Sequence, residues 1–385
     1  MKNPLVRYRL MTPGPTPVPQ SALQILAQDL RHHRTEEFRE IFRKAVAGLQ
    51  EVFCTKNEVA IITGSGTAAM EACVVNAVPA GGKALVLYSG KFAERWAELC
   101  VRFGITPILY EVPWGEPFSA EKVAEMLRAE PEIQAVYGTL CETSTGVGHR
   151  IREIGAEVAK TDALFVVDGI SGVGGMECRT DDWGIDLLAV GSQKALMTPP
   201  GLAFVATSGK AWRKMEEMNP PAFYLDLWAY RKSAKTSDTP YTPPRSLVAA
   251  LAESLRMIRE VGIENVWRHT SRLGRAVRAG VTAMGLEVFA KEPCEVLTLI
   301  KMPEAVDVKA LLTRMEEEFG VKITGAQGYL KGKAVRIAHM GMIDYLDLVG
   351  CVAAMEVALT GQGWKVTPGA GVAAMQKEWR VKSGE

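Results

Sequence analysis

Three short segments of this 385-residue chain hold residues whose types could do chemistry. The first is residues 63–67, with the sequence Thr-Gly-Ser-Gly-Thr, between a predicted strand and a predicted helix. Glycines let a backbone approach an anion closely, and the free N–H groups at a helix N-terminus favour negative charge. This loop is therefore a candidate phosphate site.

The same glycine-rich loop allows two other interpretations. Gly64, Gly66 and Ala69 fit the GxGxx(G/A) pattern of a dinucleotide-binding loop. That pattern needs an acidic residue at the end of the next strand to bind ribose, whereas residues 87–90 read Leu-Tyr-Ser-Gly. The missing acid weakens the nicotinamide hypothesis. The loop could also be a tight strand-to-helix turn that binds nothing.

The second segment opens with Asp168, which directly follows the apolar strand candidate 164–167. A carboxylate at the end of a buried strand costs free energy unless it meets a cation or hydrogen-bond donors. A protonated pyridine nitrogen would meet this need, and the ion pair would keep the ring able to accept electrons. The alternative is that Asp168 caps a helix or a turn.

The third segment is residues 191–194, with the sequence Gly-Ser-Gln-Lys, after the apolar strand candidate 187–190. A lone lysine is usually a solvated surface charge. Lys194, however, lies between that strand and a Pro-Pro-Gly turn at 199–201, which places it at the carboxyl edge of a sheet. A desolvated lysine there would have a lowered pKa and could form a Schiff base.

The order of the three segments is more informative than any one of them. An anion loop, a strand-end aspartate and a strand-end lysine are the three anchors that pyridoxal 5′-phosphate (PLP) needs, for its phosphate, its ring nitrogen and its aldehyde.

The elements that must position these residues alternate along the first half of the chain. Strands are predicted at 59–62, 84–88, 135–140, 164–167, 187–190 and 202–206, and helices at 36–52, 67–78, 94–103, 151–160 and from a Ser119 N-cap to before Pro131. Such alternation predicts an α/β fold with a mostly parallel sheet covered by helices, and chemistry at the carboxyl ends of the strands.

This pattern changes after residue 207, where a long connection containing Pro220-Pro221 and the polar run 231–244 begins. Helices are then predicted in 247–284, 308–319 and 345–359, with strands at 296–300 and 334–337. We therefore predict an extended N-terminal arm (1–20), a large domain (21–245) and a smaller α+β C-terminal domain (246–385), with a flexible tail after about residue 361. The proline-rich arm is expected to lie across a partner or an active-site mouth, or to pack as a surface segment.

The sequence resembles the class V aminotransferases of PLP fold type I over nearly its whole length, and it is most similar to the alanine/serine–glyoxylate (or –pyruvate) branch. The motifs that carry the resemblance are Met-Thr-Pro-Gly-Pro-Thr at 11–16, Asp168, Trp-Gly-Ile-Asp at 183–186, Gly-Ser-Gln-Lys at 191–194 and Arg-Ile-Ala-His-Met-Gly at 336–341. The stretch 186–202 is highly specific.

The resemblance implies roles for individual residues. Lys194 resembles the Schiff-base lysine, Asp168 the partner of the ring nitrogen, and Arg336 the clamp on the substrate carboxylate. The phosphate ligands would be Ser65, Gly66 and Thr67 with Gln193 beside them, completed by Thr242 from the second subunit of a homodimer. Phe92 falls where an aromatic ring, often Trp in relatives, stacks on the cofactor, and Thr143 and Ser144 fall in a loop that contacts cofactor and substrate. His32 and His33 resemble a segment near the active site but receive no role.

The activity expected from the resemblance is ping-pong transfer of an amino group from alanine or serine to glyoxylate or pyruvate. Alternatives on the same fold are an aspartate or phosphoserine aminotransferase and a cysteine or selenocysteine lyase, although the histidine that precedes the lysine in cysteine desulfurases is absent. A nicotinamide (NAD-dependent) oxidoreductase and a non-catalytic subunit of a larger complex are more distant alternatives.

The amino-acid composition limits the kinds of binding partner that we expect. The 45 basic and 44 acidic side chains nearly cancel, so we expect neither a nucleic-acid nor a membrane partner. Seven scattered cysteines without a CxxC pair indicate reduced thiols, and no metal site is expected. The N-terminus lacks the apolar stretch of a signal peptide, and no apolar run could span a bilayer. We therefore expect a soluble, cytoplasmic protein.

Overall fold

The computed structural model describes residues 5–218 and 220–381. Its helices are α1 (Gln20–Leu26), α2 (Glu36–Phe53), α3 (Gly66–Ala77), α4 (Lys91–Arg102), α5 (Ala120–Ala129), α6 (Ile151–Val158), α7 (Gly209–Glu216), α8 (Leu227–Ala234), α9 (Arg245–Val261), α10 (Ile263–Ala283), α11 (Val308–Phe319), α12 (Tyr345–Thr360) and α13 (Ala370–Arg380). Its strands are β1 (Arg9–Leu10), β2 (Glu58–Gly64), β3 (Lys83–Tyr88), β4 (Thr106–Glu111), β5 (Ile133–Thr139), β6 (Cys141–Glu142), β7 (Val147–Gly148), β8 (Leu164–Asp168), β9 (Leu187–Gly191), β10 (Gly201–Thr207), β11 (Glu287–Val288), β12 (Leu297–Lys301), β13 (Val321–Lys322), β14 (Thr324–Gly325) and β15 (Ala334–Ala338).

A seven-stranded sheet with the order β2-β10-β9-β8-β5-β3-β4 forms the centre of the large unit. Only β10 runs antiparallel to its neighbours β2 and β9, so the predicted mostly parallel sheet is confirmed. Every residue of β8 and β9 is buried. Alternate residues of β8 enter two different apolar cores, with Phe165 and Val167 in one and Leu164 and Val166 in the other. The sheet is therefore covered on both faces, as parallel sheets usually are.

The topology brings the three chemical segments to one edge of this sheet. Strands β2, β8 and β9 all point the same way, and they end at Gly64, Asp168 and Gly191. The glycine-rich loop, the aspartate and the lysine segment therefore follow neighbouring carboxyl ends, as the sequence predicts.

Several elements of the large unit escaped the sequence analysis. The edge strand β4 contains Pro107 and has no fully buried residue, so it lacks the apolar signal of the central strands. Helices α7 and α8 interrupt the stretch after residue 207, and α8 begins where the Asp226 side chain accepts a hydrogen bond from the backbone N–H of Trp228. By contrast, the predicted Ser119 N-cap of α5 is confirmed, because its side chain accepts from Lys122 N.

The C-terminal part forms a smaller α+β unit around an antiparallel sheet with the order β11-β12-β15-β14. The predicted helical stretch 247–284 is two helices, α9 and α10, separated at Gly262, which has a φ of +84°. Helix α9 packs against α1 and α2, and α10 packs against α12 and α13. The boundary between residues 245 and 246 remains a prediction.

The first and last elements that the structure describes are both tied to the rest of the molecule. In the arm, β1 pairs in parallel with β13, and Met11 O accepts from Ala338 N (3.0 Å). At the other end, α13 lies within the expected flexible tail, where the sequence did not predict a helix. Helix α13 buries Met375 and stacks Trp379 on Tyr345 (ring centroids 4.3 Å apart). It starts at Gly369 without a side-chain cap, so the sequence carries no start signal there.

No helix within the described ranges combines the length and apolar character needed to cross a bilayer.

Candidate active site

Lys194 lies just beyond the end of β9, and its amine contacts the N-terminal arm. Its Nζ donates to the carbonyl oxygen of Pro13 at 2.5 Å. The pKa of Lys194 is lowered to about 8, mainly by burial and in smaller part by the charge of Arg336, whereas Asp168 and Cys141 oppose the shift. A lysine with this pKa has a substantial neutral fraction near neutral pH, which is the form that attacks carbonyl carbons.

Asp168, the last residue of β8, is 4% exposed. Its Oδ1 accepts a hydrogen bond from the backbone N–H of Ile170 (2.8 Å), and no ion pair to it occurs within the described ranges. The pKa of Asp168 is raised to about 7, mainly by burial and in smaller part by the neighbouring Glu142. The site thus holds a buried carboxyl group that could still pair with a cationic ligand atom.

The glycine-rich loop turns directly from β2 into α3. Gly64 ends the strand, Ser65 is the N-cap residue and is exposed, and Gly66 begins the helix. The Ser65 side chain makes no capping hydrogen bond to the helix, so the N-terminus of α3 has no side-chain acceptor from that residue. Thr67 is half-buried, and its Oγ1 accepts from Arg95 Nη1 (3.2 Å). This arrangement suits an anion at the helix N-terminus.

Gln193 lies against this loop. A Cβ atom added to Gly191 would lie 2.9 Å from Gln193 Oε1 and 3.4 Å from the Gly66 Cα. Gln193 Oε1 is buried and has no hydrogen-bond partner. A Cβ on Gly66 would meet Ile170, two residues after Asp168, at 2.7 Å. The structure therefore brings together the glycine-rich loop, Gln193 and the aspartate segment, which the sequence predicted to share one site.

Arg336, in β15, reaches the loop that carries Thr143. Its Nη1 donates to Thr143 O (3.1 Å), and its Nε and Nη2 donate to Gly325 O (3.1 and 2.9 Å). Arg336 is only 8% exposed, and burial lowers its pKa, although Glu142 opposes that effect. These contacts place a guanidinium from the small unit beside the loop of the large unit, where it could form a bidentate pair with a carboxylate.

Phe92 and Ser144 lie on opposite sides of a buried carboxylate. Phe92 is the second residue of α4 and is half-buried, and the Arg95 guanidinium lies 5.5 Å from the centroid of its ring. Ser144 is buried and donates through Oγ to Glu142 Oε1 (2.6 Å), while Glu142 Oε2 accepts from Phe92 N (3.1 Å). Phe92 and Ser144 thus share one neighbour, Glu142.

Thr242 lies elsewhere on this chain. It is exposed and lines a cavity of about 550 Å³ with His32, His33 and Arg245, and that cavity includes neither the lysine nor the glycine-rich loop. This cavity therefore does not connect Thr242 with the lysine or the glycine-rich loop of its own chain.

Three residues of the site were not singled out by sequence reasoning. Pro13 contributes only a backbone carbonyl, which no side-chain pattern reveals. Arg95 lies one helical turn after Phe92, and that spacing could have indicated it. Glu142 precedes Thr143 directly but was given no role. Within residues 5–218 and 220–381 no group of side chains could hold a metal ion.

Comparison with known proteins places these residues in a family context. The family described as "Aminotransferase class-V" matches residues 11–330. The chain is 39% identical to the "Soluble hydrogenase, small subunit" of Synechococcus sp. (strain PCC 6716), over 96% of this chain and 97% of that protein. It is 33% identical to the serine–glyoxylate aminotransferase of Methylorubrum extorquens, over 96% and 95%. The structure of pyridoxamine–pyruvate aminotransferase from Mesorhizobium loti superposes with a TM-score of 0.92 at 29% identity, covering 98% of this chain and 99% of that one.

Proposed function

The chain belongs to the class V aminotransferase family, and from that premise we propose that it is a PLP-dependent transaminase that moves an amino group from alanine or serine to glyoxylate or pyruvate. The observation that carries the proposal is the pairing of a lysine whose pKa is lowered to about 8 with a buried aspartate, at the ends of the adjacent strands β9 and β8. Among the described residues neither side chain forms an ion pair, so no charge partner offsets the cost of burying the aspartate, which is typical of functional sites.

The residues present fit PLP at three separate points. The N-terminus of α3 receives no capping hydrogen bond from the Ser65 side chain, so its first N–H groups could donate to a phosphate. Gln193 lies against the same glycine-rich loop. Asp168 would meet the ring nitrogen, and its lack of an ion-pair partner supports that role. Lys194 lies on the same edge of the sheet and would hold the aldehyde.

Bound PLP would supply an aldehyde that captures an amino group and a ring that accepts electrons from the substrate carbon. The chain's own residues would do the rest. Lys194, once released, would move the proton from the substrate α-carbon, because its lowered pKa keeps part of its amine neutral. Arg336 would bind and orient the substrate carboxylate. Phe92 would stack on the ring, and Thr143 and Ser144 would contact cofactor and substrate.

Two observations support small substrates. Arg336 is the arginine that reaches the Thr143 loop from the small unit, and it would be engaged by the α-carboxylate. A relative that covers nearly the whole chain is a serine–glyoxylate aminotransferase. A substrate with a second carboxylate, such as aspartate, would need a further cation beside that side chain.

We extend the proposal to a homodimer in the cytoplasm. Thr242 would complete the phosphate site of the partner subunit, which its exposed position beside a cavity of about 550 Å³ permits. The exposed aromatic ring of Phe223 (81% exposed) lies in the same region, because the Tyr241 hydroxyl donates to its carbonyl oxygen. All seven cysteines lie in the described ranges and are free, which suits a reducing compartment.

A half-reaction screen tests the proposal. The protein is purified with PLP, and its visible absorption is followed while single amino acids are added without a keto acid. Loss of the visible band with alanine or serine, restored by glyoxylate or pyruvate, is the expected result. A response restricted to aspartate, glutamate or phosphoserine would keep the chemistry and overturn the substrate. Sulfide release from cysteine would identify a lyase instead. A colourless protein would overturn the proposal and favour a dinucleotide ligand or a non-catalytic role.

A further inference from the structure

Glu142 is a fully buried carboxylate whose two oxygens both accept hydrogen bonds. It has no exposed surface. Its Oε2 accepts from Phe92 N (3.1 Å) and Ala93 N (2.9 Å), and its Oε1 accepts from Ser144 N (3.0 Å) and Ser144 Oγ (2.6 Å). Burial raises the pKa of Glu142, and these four donors oppose that shift. Because both oxygens face donors, the ionised form fits this environment better than the protonated form.

These contacts complete the N-terminus of α4. The first N–H groups of a helix have no partner inside the helix. The N-cap residue of α4 is Gly90, which has no side chain to offer. Ser144 Oγ accepts from Lys91 N (3.0 Å), and Glu142 accepts from the next two N–H groups. A loop from another part of the chain therefore supplies the cap.

The packing around this cap leaves little room for adjustment. A Cβ atom on Gly90 would lie 2.5 Å from Ser144 Oγ and 2.6 Å from the Glu142 carboxyl carbon. The first turn of α4 thus lies directly against the Glu142 carboxyl group. Since Phe92 is in that turn, the carboxylate holds the backbone on which the aromatic ring is mounted.

The same loop also contacts the proposed carboxylate clamp. Thr143 lies between Glu142 and Ser144, and its carbonyl oxygen accepts from Arg336 Nη1 (3.1 Å). Glu142 is also close enough to Arg336 and Asp168 to influence both electrostatically. One buried side chain therefore connects the ring-stacking element, the Thr143 loop and the arginine.

We propose that Glu142 is a positioning residue of the aminotransferase reaction, which fixes Phe92 over the cofactor ring and the Thr143 carbonyl against Arg336. This inference rests on the proposed function. Glu142 does not touch the reacting atoms in this account. It acts by accepting hydrogen bonds from backbone N–H groups, and so fixes the segments that carry them.

The substitution Glu142→Gln tests whether hydrogen-bond acceptance, rather than the volume of the side chain, is what matters at this position. Glutamine has almost the same shape, but only one end of its amide accepts hydrogen bonds. Its NH₂ group would face either the N–H groups of Phe92 and Ala93 or the N–H of Ser144. One side of the connection must therefore open, even though the volume is unchanged.

The chain offers a matched control in Glu356. This side chain is also buried (6% exposed) and accepts from the backbone N–H groups of Gly369 (3.0 Å) and Gly371 (2.6 Å), but in the small unit. Glu356→Gln therefore imposes the same chemical change at a site without a proposed role. Ser144→Ala is a milder second variant, because it removes one link to Glu142 and the link to Lys91 N while keeping the carboxylate.

The experiment compares wild type, E142Q, E356Q and S144A in two states. In the cofactor-free protein, amide hydrogen exchange is measured for Lys91, Phe92 and Ala93. In the PLP-loaded protein, the circular dichroism of the visible band and the kcat and KM for alanine are measured. We expect E142Q to speed exchange at the Phe92 and Ala93 amides by about 10-fold or more, to alter the sign or size of the visible dichroism, and to lower kcat/KM by about 10²-fold. E356Q should leave all three unchanged, and S144A should fall between.

The outcomes distinguish the two proposals. If wild type forms no visible band with PLP, the proposed function fails. If wild type does form the band but E142Q keeps wild-type dichroism and kcat/KM, the positioning role is wrong. Should E142Q fail to fold, S144A decides: unchanged exchange at Lys91 and Phe92, together with an unchanged visible dichroism, would overturn the inference.

Discussion

The amine of Lys194 lies 2.5 Å from the carbonyl oxygen of Pro13, so the N-terminal arm covers the lysine directly. The arm is held there by Thr16, which donates through Oγ1 to Lys194 O (2.7 Å) and through its N–H to Gln193 O (3.0 Å). Gly14 makes this approach feasible, because a Cβ atom at Gly14 would lie 2.5 Å from the lysine Nζ.

Gly14→Ala should therefore displace the lysine. Gly14 also has a φ of +144°, so alanine adds backbone strain of about 1–2 kcal/mol as well as the clash. We expect activity to fall by about 10-fold or more, because the lysine amine would be displaced from its position. Borohydride reduction should also trap less PLP on the protein. Gly363→Ala is the control, since Gly363 has a φ of +85° with nothing within 4 Å of the added atom. Equal effects of the two variants would show that strain alone is responsible.

Lys194→Ala should remove the visible band of the PLP-loaded protein and lower turnover by several orders of magnitude, because no other group on the described chain takes its position. Absorption spectra and a coupled alanine assay measure both effects. Lys210→Ala provides the control, as this lysine also lies near a buried aspartate, with Nζ 3.7 Å from Asp186, the residue that precedes β9. A K194A protein with an unchanged spectrum would contradict the assignment of the lysine.

The positions of two candidate residues at strand ends could be predicted from the sequence. Asp168 and Lys194 each follow a short, wholly apolar strand, and parallel strands bring their carboxyl ends together whatever the loops do. The antiparallel insertion of β10 between β2 and β9 has no local signature, because a buried strand is apolar in either direction. Periodicity therefore indicated the strands but not their order.

The missed parts of the site depend on contacts between distant segments. Pro13 acts through its backbone, and Glu142 acts through N–H groups of a helix about fifty residues earlier in the chain. Neither role follows from residue type or spacing. Thr242 illustrates a different limit, since its proposed partner would be on another chain.

Asp168→Asn should change how the stability of the cofactor-free protein depends on pH. The pKa of Asp168 is raised from 3.8 to about 7, mainly by burial. The folded state therefore binds the proton more tightly than the unfolded state, and this stabilisation is lost as the pH rises from about 4 through 7. Between pH 5 and pH 8, wild type should lose on the order of 2–3 kcal/mol relative to D168N, measured by urea unfolding.

The control for this pH series is Asp162→Asn. Asp162 is exposed, and its hydrogen bond to Lys214 lowers its pKa, so its contribution is constant above about pH 5. D162N should therefore run parallel to wild type across the range. If D168N also runs parallel to wild type, Asp168 is ionised in the cofactor-free fold and the burial argument is wrong.

Arg336→Gln should weaken the binding of substrates that carry an α-carboxylate. Charge-assisted hydrogen bonds contribute about 1.5–3 kcal/mol each, so we expect KM for alanine to rise by about 10–10²-fold. Arg336→Lys should fall between, because lysine cannot form the bidentate pair. Half-reactions with an amine that lacks the carboxylate should be unaffected. Arg278→Gln is the matched control, since Arg278 also donates to a backbone carbonyl, Cys294 O at 3.2 Å. An equal loss with amine and amino acid would contradict a carboxylate clamp.

Mixed dimers test whether Thr242 acts across subunits. Thr242→Glu would place a negative charge beside the partner's phosphate and should weaken PLP binding there. K194A and T242E should each be nearly inactive alone. Consider a mixed dimer of one K194A chain and one T242E chain. If Thr242 serves the partner's site, one of its two sites carries both substitutions and the other carries neither. Random mixing of equal amounts should then restore about a quarter of wild-type activity, since half of the dimers are mixed and each has one intact site. No recovery in demonstrably mixed dimers would place Thr242 in the site of its own chain or outside the site altogether.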